Sequence, residues 1–239
     1  MKGEFLWYGH SGIVGLLEDN IVQKSPLPGS DYKESRNDIE REAEIYQLLG
    51  HHDRLVKMIR HTDEGLFLEY MVNRDLKTYL QNHQDISTDQ RLRWACEAAE
   101  GLQLLHSKNI IHCDTKPRNF LLDVDLNLKI IDFAGSTVAG SRSNSCEQTR
   151  YYLPRDWREP PTTTTDLFAL GSTIYEIMTG ISPYGELPSN EVLERYRDKN
   201  FPDISSVPCG EVIRKCWERE IASAQQVLDS IKAFIGTTP

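Results

Sequence analysis

The chain has no apolar run long enough to cross a bilayer, so a membrane-spanning helix is not expected. Its opening stretch, MKGEFLWYGH, carries Glu4 and no apolar h-region, which argues against a secretory leader, and Gly3 stands one place too late for a myristoylation signal. Positive charge is not in excess. Against 36 aspartates and glutamates stand 27 lysines and arginines, a net charge of −9. A nucleic-acid-binding surface is therefore not expected as the main function, while a basic peptide substrate is compatible. Paired cysteines are also missing: Cys96, Cys113, Cys146, Cys209 and Cys216 are odd in number and form no CxxC. Reduced thiols in an intracellular, cytoplasmic protein are the expectation. There is no internal repeat, and the one low-complexity tract is PPTTTT at 160–165.

What remains is an ordinary globular composition, 39% hydrophobic and 26% charged over 239 residues, enough chain for a sizeable core. Residues 5–25 read as short strands with a glycine-bearing turn. Ile39, Ala43 and Tyr46 recur at helical spacing within 36–49, and Gly50 ends that helix. LVKMIRHTDEGLFLEYM reads as two strands around a turn at Asp63 to Gly65. VNRDLKTYLQNH begins a helix. Ser87 and Gln90 suggest a capping box for a longer one with Leu92, Ala95, Ala99 and Leu102 on one face. TDLFALGSTIYEIMTG is apolar nearly all round and predicts a buried helix. Strands with one helix come first and mostly helices follow, with the joint near Met71 to Asn73. Two lobes meeting at a ligand-binding cleft are expected.

IIHCDTKPRNFLL, residues 110–122, sets Asp114, Lys116 and Asn119 between two apolar runs. Asp132 follows Asn119 by thirteen residues, after a second pair of short strands. A turn between those strands brings two carboxylates and a carboxamide together, a hard-oxygen set suited to Mg²⁺. Phosphoryl transfer needs little more than such positioning and charge neutralisation. In that chemistry Asp114 orients the substrate hydroxyl and accepts its proton, Asn119 and Asp132 hold Mg²⁺, and Lys116 neutralises charge on the transferred group. Asp123 and Asp125 would also suit calcium, but read better as hairpin-turn residues. His51 and His52 lack a partner motif for a metal.

With these residues the sequence resembles the protein kinase family, and His112, Asp114 and Asn119 fit its H-x-D-x-x-x-x-N pattern. The resemblance implies an α+β, bilobal kinase-like fold in one domain: a small antiparallel sheet with one helix (1–71) and a mainly helical second lobe (72–239). YGHSGIVG resembles a phosphate-covering loop, with Gly9 and Gly12 as two of its glycines and Val14 against the adenine. Lys24 resembles the lysine that contacts the nucleotide phosphates, and Glu42 its partner. LFLEYM resembles the hinge, with Leu68 guarding the back pocket and Glu69 and Met71 offering backbone hydrogen bonds to adenine. Asp75 would meet the ribose, and Val22 and Leu121 complete the nucleotide-lining set. Asp166 resembles the aspartate that holds the catalytic loop, and KCWERE a late helix. The resemblance implies ATP and Mg²⁺ as cofactors and a protein substrate. Lys116, two residues after Asp114, favours a serine or threonine acceptor over tyrosine. YLPRDW and the TDLFALG helix also resemble a group of small kinase-like proteins of filamentous fungi.

Taken singly the parts have plainer readings: a hairpin turn for Gly9 and Gly12, a solvated lysine for Lys24, a wet helix face for Glu42. The order and spacing of the whole set carry the resemblance. It is departed from at four places. Trp7 stands at the first loop glycine, Cys113 at the arginine before the catalytic aspartate, and Ala134 at the glycine after Asp132 and Phe133. YYLPRDW stands at Ala-Pro-Glu, and both members of the buried pair made there are expected to be missing together. A pseudokinase and a small-molecule kinase of related fold stay open as alternatives. Ser143, Ser145 and Thr149 are candidate phosphorylation sites.

Overall fold

The computed structural model describes residues 3–9, 11–139, 147–156 and 158–237. Cys146, Ser143 and Ser145 lie outside the described residues.

Five strands make one antiparallel sheet in the order β1-β2-β3-β5-β4: β1 (Glu4–Gly9), β2 (Gly12–Leu16), β3 (Ile21–Ser25), β4 (Met58–Thr62) and β5 (Gly65–Glu69). Between β3 and β4 runs helix α1 (Tyr32–Leu49), which packs against β2, β3, β4 and β5. It starts four residues earlier than the sequence pattern suggested, because residues 29–31 form a 3-10 turn that leads straight into it. Gly50 ends it at φ 68°, a left-handed value that glycine reaches without a Cβ clash. Ile39, Glu42, Ala43 and Tyr46 lie on its buried face, so a glutamate is carried into the core alongside the apolar stripe.

The chain leaves the sheet after Glu69 and enters a helical region at α2 (Leu76–Asn82) and α3 (Thr88–Ser107). Asp75 caps α2, and Ser87 Oγ accepts from Gln90 N at the start of α3. That is the one arm of the anticipated capping box recorded for α3. A full box forms instead at Thr162 and Thr165, opening α4 (Thr163–Thr179). Helices α5 (Ser189–Arg197), α6 (Gly210–Trp217) and α7 (Ala224–Thr237) follow. Among the described residues, no helix is long and apolar enough to cross a membrane.

Helix α4 is buried at every position from Thr165 to Met178 and packs against α3 and α6, as its unbroken apolar character requires. Gly171 permits this closeness: a Cβ there would lie 2.6 Å from that of Cys216 on α6. Between α3 and α4 run short strands β6 (Ile110–Ile111), β7 (Phe120–Leu122), β8 (Leu128–Ile130) and β9 (Thr137–Val138), paired β6 with β9 and β7 with β8. In the β7–β8 turn, Asp123 Oδ1 accepts from the backbone N–H groups of Asp125 and Asn127, so it is used as a turn residue. Cys96, Cys113, Cys209 and Cys216 are buried thiols.

Candidate active site

The loop between β6 and β7 is held from beneath by one carboxylate. Asp166, on α4 and almost wholly buried, accepts from the backbone N–H groups of His112 (2.8 Å) and Cys113 (3.0 Å). Its Oδ2 also contacts His106 Nε2 at 2.9 Å. Those bonds hold Cys113 at φ 67°, where a non-glycine residue normally costs about 1–3 kcal/mol. His112 then has its tautomer set by its neighbours. Nδ1 accepts from Asp114 N, so Nε2 donates to Ile131 O at 2.9 Å.

This geometry delivers Asp114, Lys116 and Asn119 to one point. Lys116 Nζ donates to Asp114 Oδ2 at 2.6 Å, and Asn119 Nδ2 donates to Asp114 O (2.7 Å) and Oδ2 (3.0 Å). With its nitrogen committed twice, the Asn119 amide keeps its carbonyl oxygen for another partner. The 3-10 turn Pro117–Asn119 keeps the spacing short. Burial pushes the Asp114 carboxyl above its usual value, against the pull of Lys116.

A second cluster spans the lobes. Lys24 on β3 donates to Glu42 Oε2 on α1 at 2.6 Å and to Asp132 Oδ1 at 3.0 Å. Burial alone would lower the Lys24 pKa. Asp132 and Glu42 outweigh it, so the ammonium is held above the ordinary lysine range. Asp132 answers in kind: burial opposes its ionisation, but Lys24 wins and lowers its pKa. Asp132 sits at φ 68° and keeps part of its side chain open to solvent, unlike Lys24 and Glu42. Next to it, Phe133 is fully buried between the rings of Tyr46 (5.0 Å) and His112 (5.8 Å), both edge-on. Burying that ring is worth roughly 1.5–3 kcal/mol, and it ties α1, the Asp132 segment and the β6–β7 loop into one column.

The sheet supplies the roof and wall. Val14 pairs with Lys24, and Val22 with Leu68. Gly9 and Gly12 face each other across the β1–β2 turn. Gly12, at φ 159°, brings its Cα so close to Ser25 O that a Cβ would sit 2.7 Å from it. Glu69 sends its side chain to Lys57 N (2.7 Å) and towards Lys129 Nζ (3.4 Å), so its carboxylate is structural. Met71 is buried, and Leu121 bridges to Asp75. Asp75 also caps α2: its Oδ1 accepts from Thr78 N (3.0 Å) and its Oδ2 from Thr78 Oγ1 (2.7 Å).

The family model described as "Protein kinase domain" matches residues 19–237. The chain belongs to the protein kinase family. It is 33% identical over 179 residues to Aurora kinase C of Mus musculus, covering 72% of this chain and 64% of that protein. It is 31% identical over 253 residues to an Aurora kinase of Yarrowia lipolytica, covering 96% of this chain and 66% of that protein. It is 29% identical over 212 residues to the tyrosine-protein kinase SPK-1 of Girardia tigrina, covering 78% of this chain and 42% of that protein. The chain spans about two thirds or less of the length of each of these relatives.

The departures from the kinase pattern now have physical accounts. The Trp7 ring lies over Gly9, where an added Cβ would come within 2.1 Å of it; the glycine is needed by the tryptophan, whatever it does for phosphate. At the Asp132 segment the left-handed position is Asp132 itself, and Ala134 is not among the positive-φ residues, so alanine there is unstrained. At YLPRDW, where the family's own buried pair was expected to be missing, a different pair is made. Arg155 takes up that place with reversed charge, and its Nη2 donates to both oxygens of Glu147 at 3.0 and 2.9 Å. Its guanidinium also stacks over Tyr152, 4.8 Å from the ring centre. Another buried carboxylate, Glu176 on α4, joins Lys77 (3.2 Å) and the Tyr151 hydroxyl. Sequence reasoning missed Glu147, Arg155, Lys77 and Glu176. A buried carboxylate on an apolar helix was the one signal available, at Glu176.

Proposed function

We propose that the protein is an ATP·Mg²⁺-dependent kinase that transfers the γ-phosphoryl group to a serine or threonine hydroxyl of a protein. The observation that carries this reading is the Lys24 ammonium joined to Glu42 and Asp132 at once, in the same fold that sets Asp114 against Lys116 and Asn119. A lysine so held is charged and fixed, ready to bind phosphate oxygens. The donor set suits a hard divalent cation: the Asn119 carbonyl oxygen and the Asp132 carboxylate would hold it. Bound there, Mg²⁺ neutralises phosphate charge. Asp114 accepts the hydroxyl proton as the new O–P bond forms and the bond to the ADP leaving group breaks. Lys116 lies close enough to Asp114 to balance charge on the group in flight. The raised Asp114 pKa suits a base, since a weakly acidic carboxyl holds its proton better. A lysine two residues after Asp114 supports an aliphatic hydroxyl as acceptor.

The test is turnover of labelled ATP with a generic protein substrate, followed by phosphoamino-acid analysis. Label on serine or threonine, abolished by Asp114→Asn, is the expected result. Label on tyrosine would overturn the acceptor class, and no transfer with Asp114→Asn identical to the parent would overturn the reading. A pseudokinase is the second reading, favoured by the Trp7 ring against Gly9. It predicts thermal stabilisation by ATP·Mg²⁺ without turnover.

A further inference from the structure

The net charge of −9 invites a basic substrate, but the charges around the catalytic loop point the other way. Arg118 lies within the 3-10 turn Pro117–Asn119, between the proposed base Asp114 and Asn119, and it is exposed where its neighbours Pro117, Asn119 and Phe120 are buried. Among the described residues its guanidinium has no hydrogen-bond or ion-pair partner. The backbone beneath it is fixed: Asn119 N donates to Lys116 O at 2.9 Å, and the Asn119 side chain is tied to Asp114. Helices α2 and α4 pack against this turn. Within α2 there is no acid, and its cap Asp75 is consumed by Thr78. Helix α4 carries two, Asp166 and Glu176. Asp166 is bound to His106, His112 and Cys113, and Glu176 to Lys77 and Tyr151; both are buried. No carboxylate from these helices is therefore available to a cationic side chain, and the one uncommitted charge on the turn is positive.

We infer that Arg118 is a specificity-determining residue that binds an anionic side chain of the protein substrate, a carboxylate or a phosphorylated residue, close to the acceptor hydroxyl. The inference rests on the kinase reading and names the substrate class for it. A guanidinium on a rigid turn presents its donors as a fixed fork, which suits carboxylate and phosphate oxygens and gives up little conformational freedom on binding. A substrate bearing arginine at that place would meet like charge, which adds rejection to selection.

The test uses the full chain and one serine peptide in four versions, with alanine, aspartate, phosphoserine or arginine at each flanking position in turn. Turnover and peptide-binding anisotropy are measured in parallel. At one flanking position kcat/KM should exceed that of the alanine peptide by about tenfold for an anionic residue, mainly through KM. Arg118→Ala should bring the ratio near one, and Arg118→Glu should reverse it in favour of arginine. A larger gain for phosphoserine than aspartate identifies a phosphorylated substrate, and equal gains identify an acidic one. A parent preference for arginine, or an anionic preference that survives in Arg118→Ala, overturns the inference. If no peptide is phosphorylated, the kinase reading falls, and anisotropy still decides. Tighter binding of anionic peptides that is lost in Arg118→Ala upholds the site, and equal binding of all four removes it.

Discussion

Two clusters of charge make up the candidate site, and they are built differently. Asp114, Lys116 and Asn119 come from one loop, with bonds that span two and five residues of sequence. Lys24, Glu42 and Asp132 come from three elements in two lobes, with bonds that span 18 and 108. The first cluster is partly open to solvent and is shaped by a turn. In the second, Lys24 and Glu42 are shut into the core. Changes to the loop cluster should therefore affect chemistry and leave the fold alone, whereas changes to the other should strike both.

The largest effect should fall on the loop cluster. Asp114→Asn keeps size and most hydrogen bonds but removes the base, so kcat should drop by about 10²–10⁴-fold with the melting temperature unchanged. A melting loss of several degrees would show that this cluster is structural after all. Lys24→Met should do the opposite in kind. It strands Glu42 and Asp132 next to each other, Glu42 fully buried, and should cost about 3–5 kcal/mol of folding stability by denaturant titration, besides activity. Adding Glu42→Leu should recover much of that stability and none of the activity. Unchanged stability in Lys24→Met would erase the contrast.

Arg155→Ala tests whether a local pair can still behave like the lobe-spanning one. Glu147 would be left buried without its main partner, at a cost of about 1.5–3 kcal/mol. The Glu147→Arg, Arg155→Glu double reversal should restore part of it. A smaller effect is in pH. Burial raises the Asp114 pKa above the ordinary 3.8, and a base works only when deprotonated. Activity should therefore be full well above the raised pKa and fall about tenfold per pH unit below it, with the acid limb starting above pH 3.8. Asp132, whose pKa is lowered, keeps its stabilising pairing above its usual value and loses it as pH falls through the lowered one, so the fold should outlast the activity on the acid side. An acid limb coincident with unfolding would count against Asp114 as the base. The smallest change belongs to Arg195→Ala, which breaks an exposed i,i+4 pair with Glu191 on α5 and a contact over the Tyr184 ring, and should lower the denaturant midpoint only slightly, less than any variant above.

How much of this could be read beforehand follows the same division. The loop cluster was legible because its members lie within six residues, and any compact turn there must bring them together. The buried helix α4 was legible from its apolar run, and the two-lobe order from the change of periodicity after residue 71. That Asp75 caps α2 was not read beforehand, because sequence alone could not rank a local bond to Thr78 against a distant one. The Arg155–Glu147 pair at YLPRDW was not foreseen for a related reason. A partner was sought near the chain end, and it lay eight residues upstream with charges reversed.

By itself the sequence determined which residues could do chemistry, the order of strands before helices, and that Asp114, Lys116 and Asn119 must meet, because short-range spacing leaves the backbone few alternatives. Tertiary structure alone decided that Lys24 reaches Glu42 and Asp132 together, that Asp166 and Glu176 are spent beneath the loop, and that Arg118 is left exposed and, among the described residues, unpaired. Those outcomes depend on how the sheet packs on α1 and how α4 packs under the loop. Burial and pairing at such distances come from the sum of many contacts, and no single stretch of sequence contains that sum.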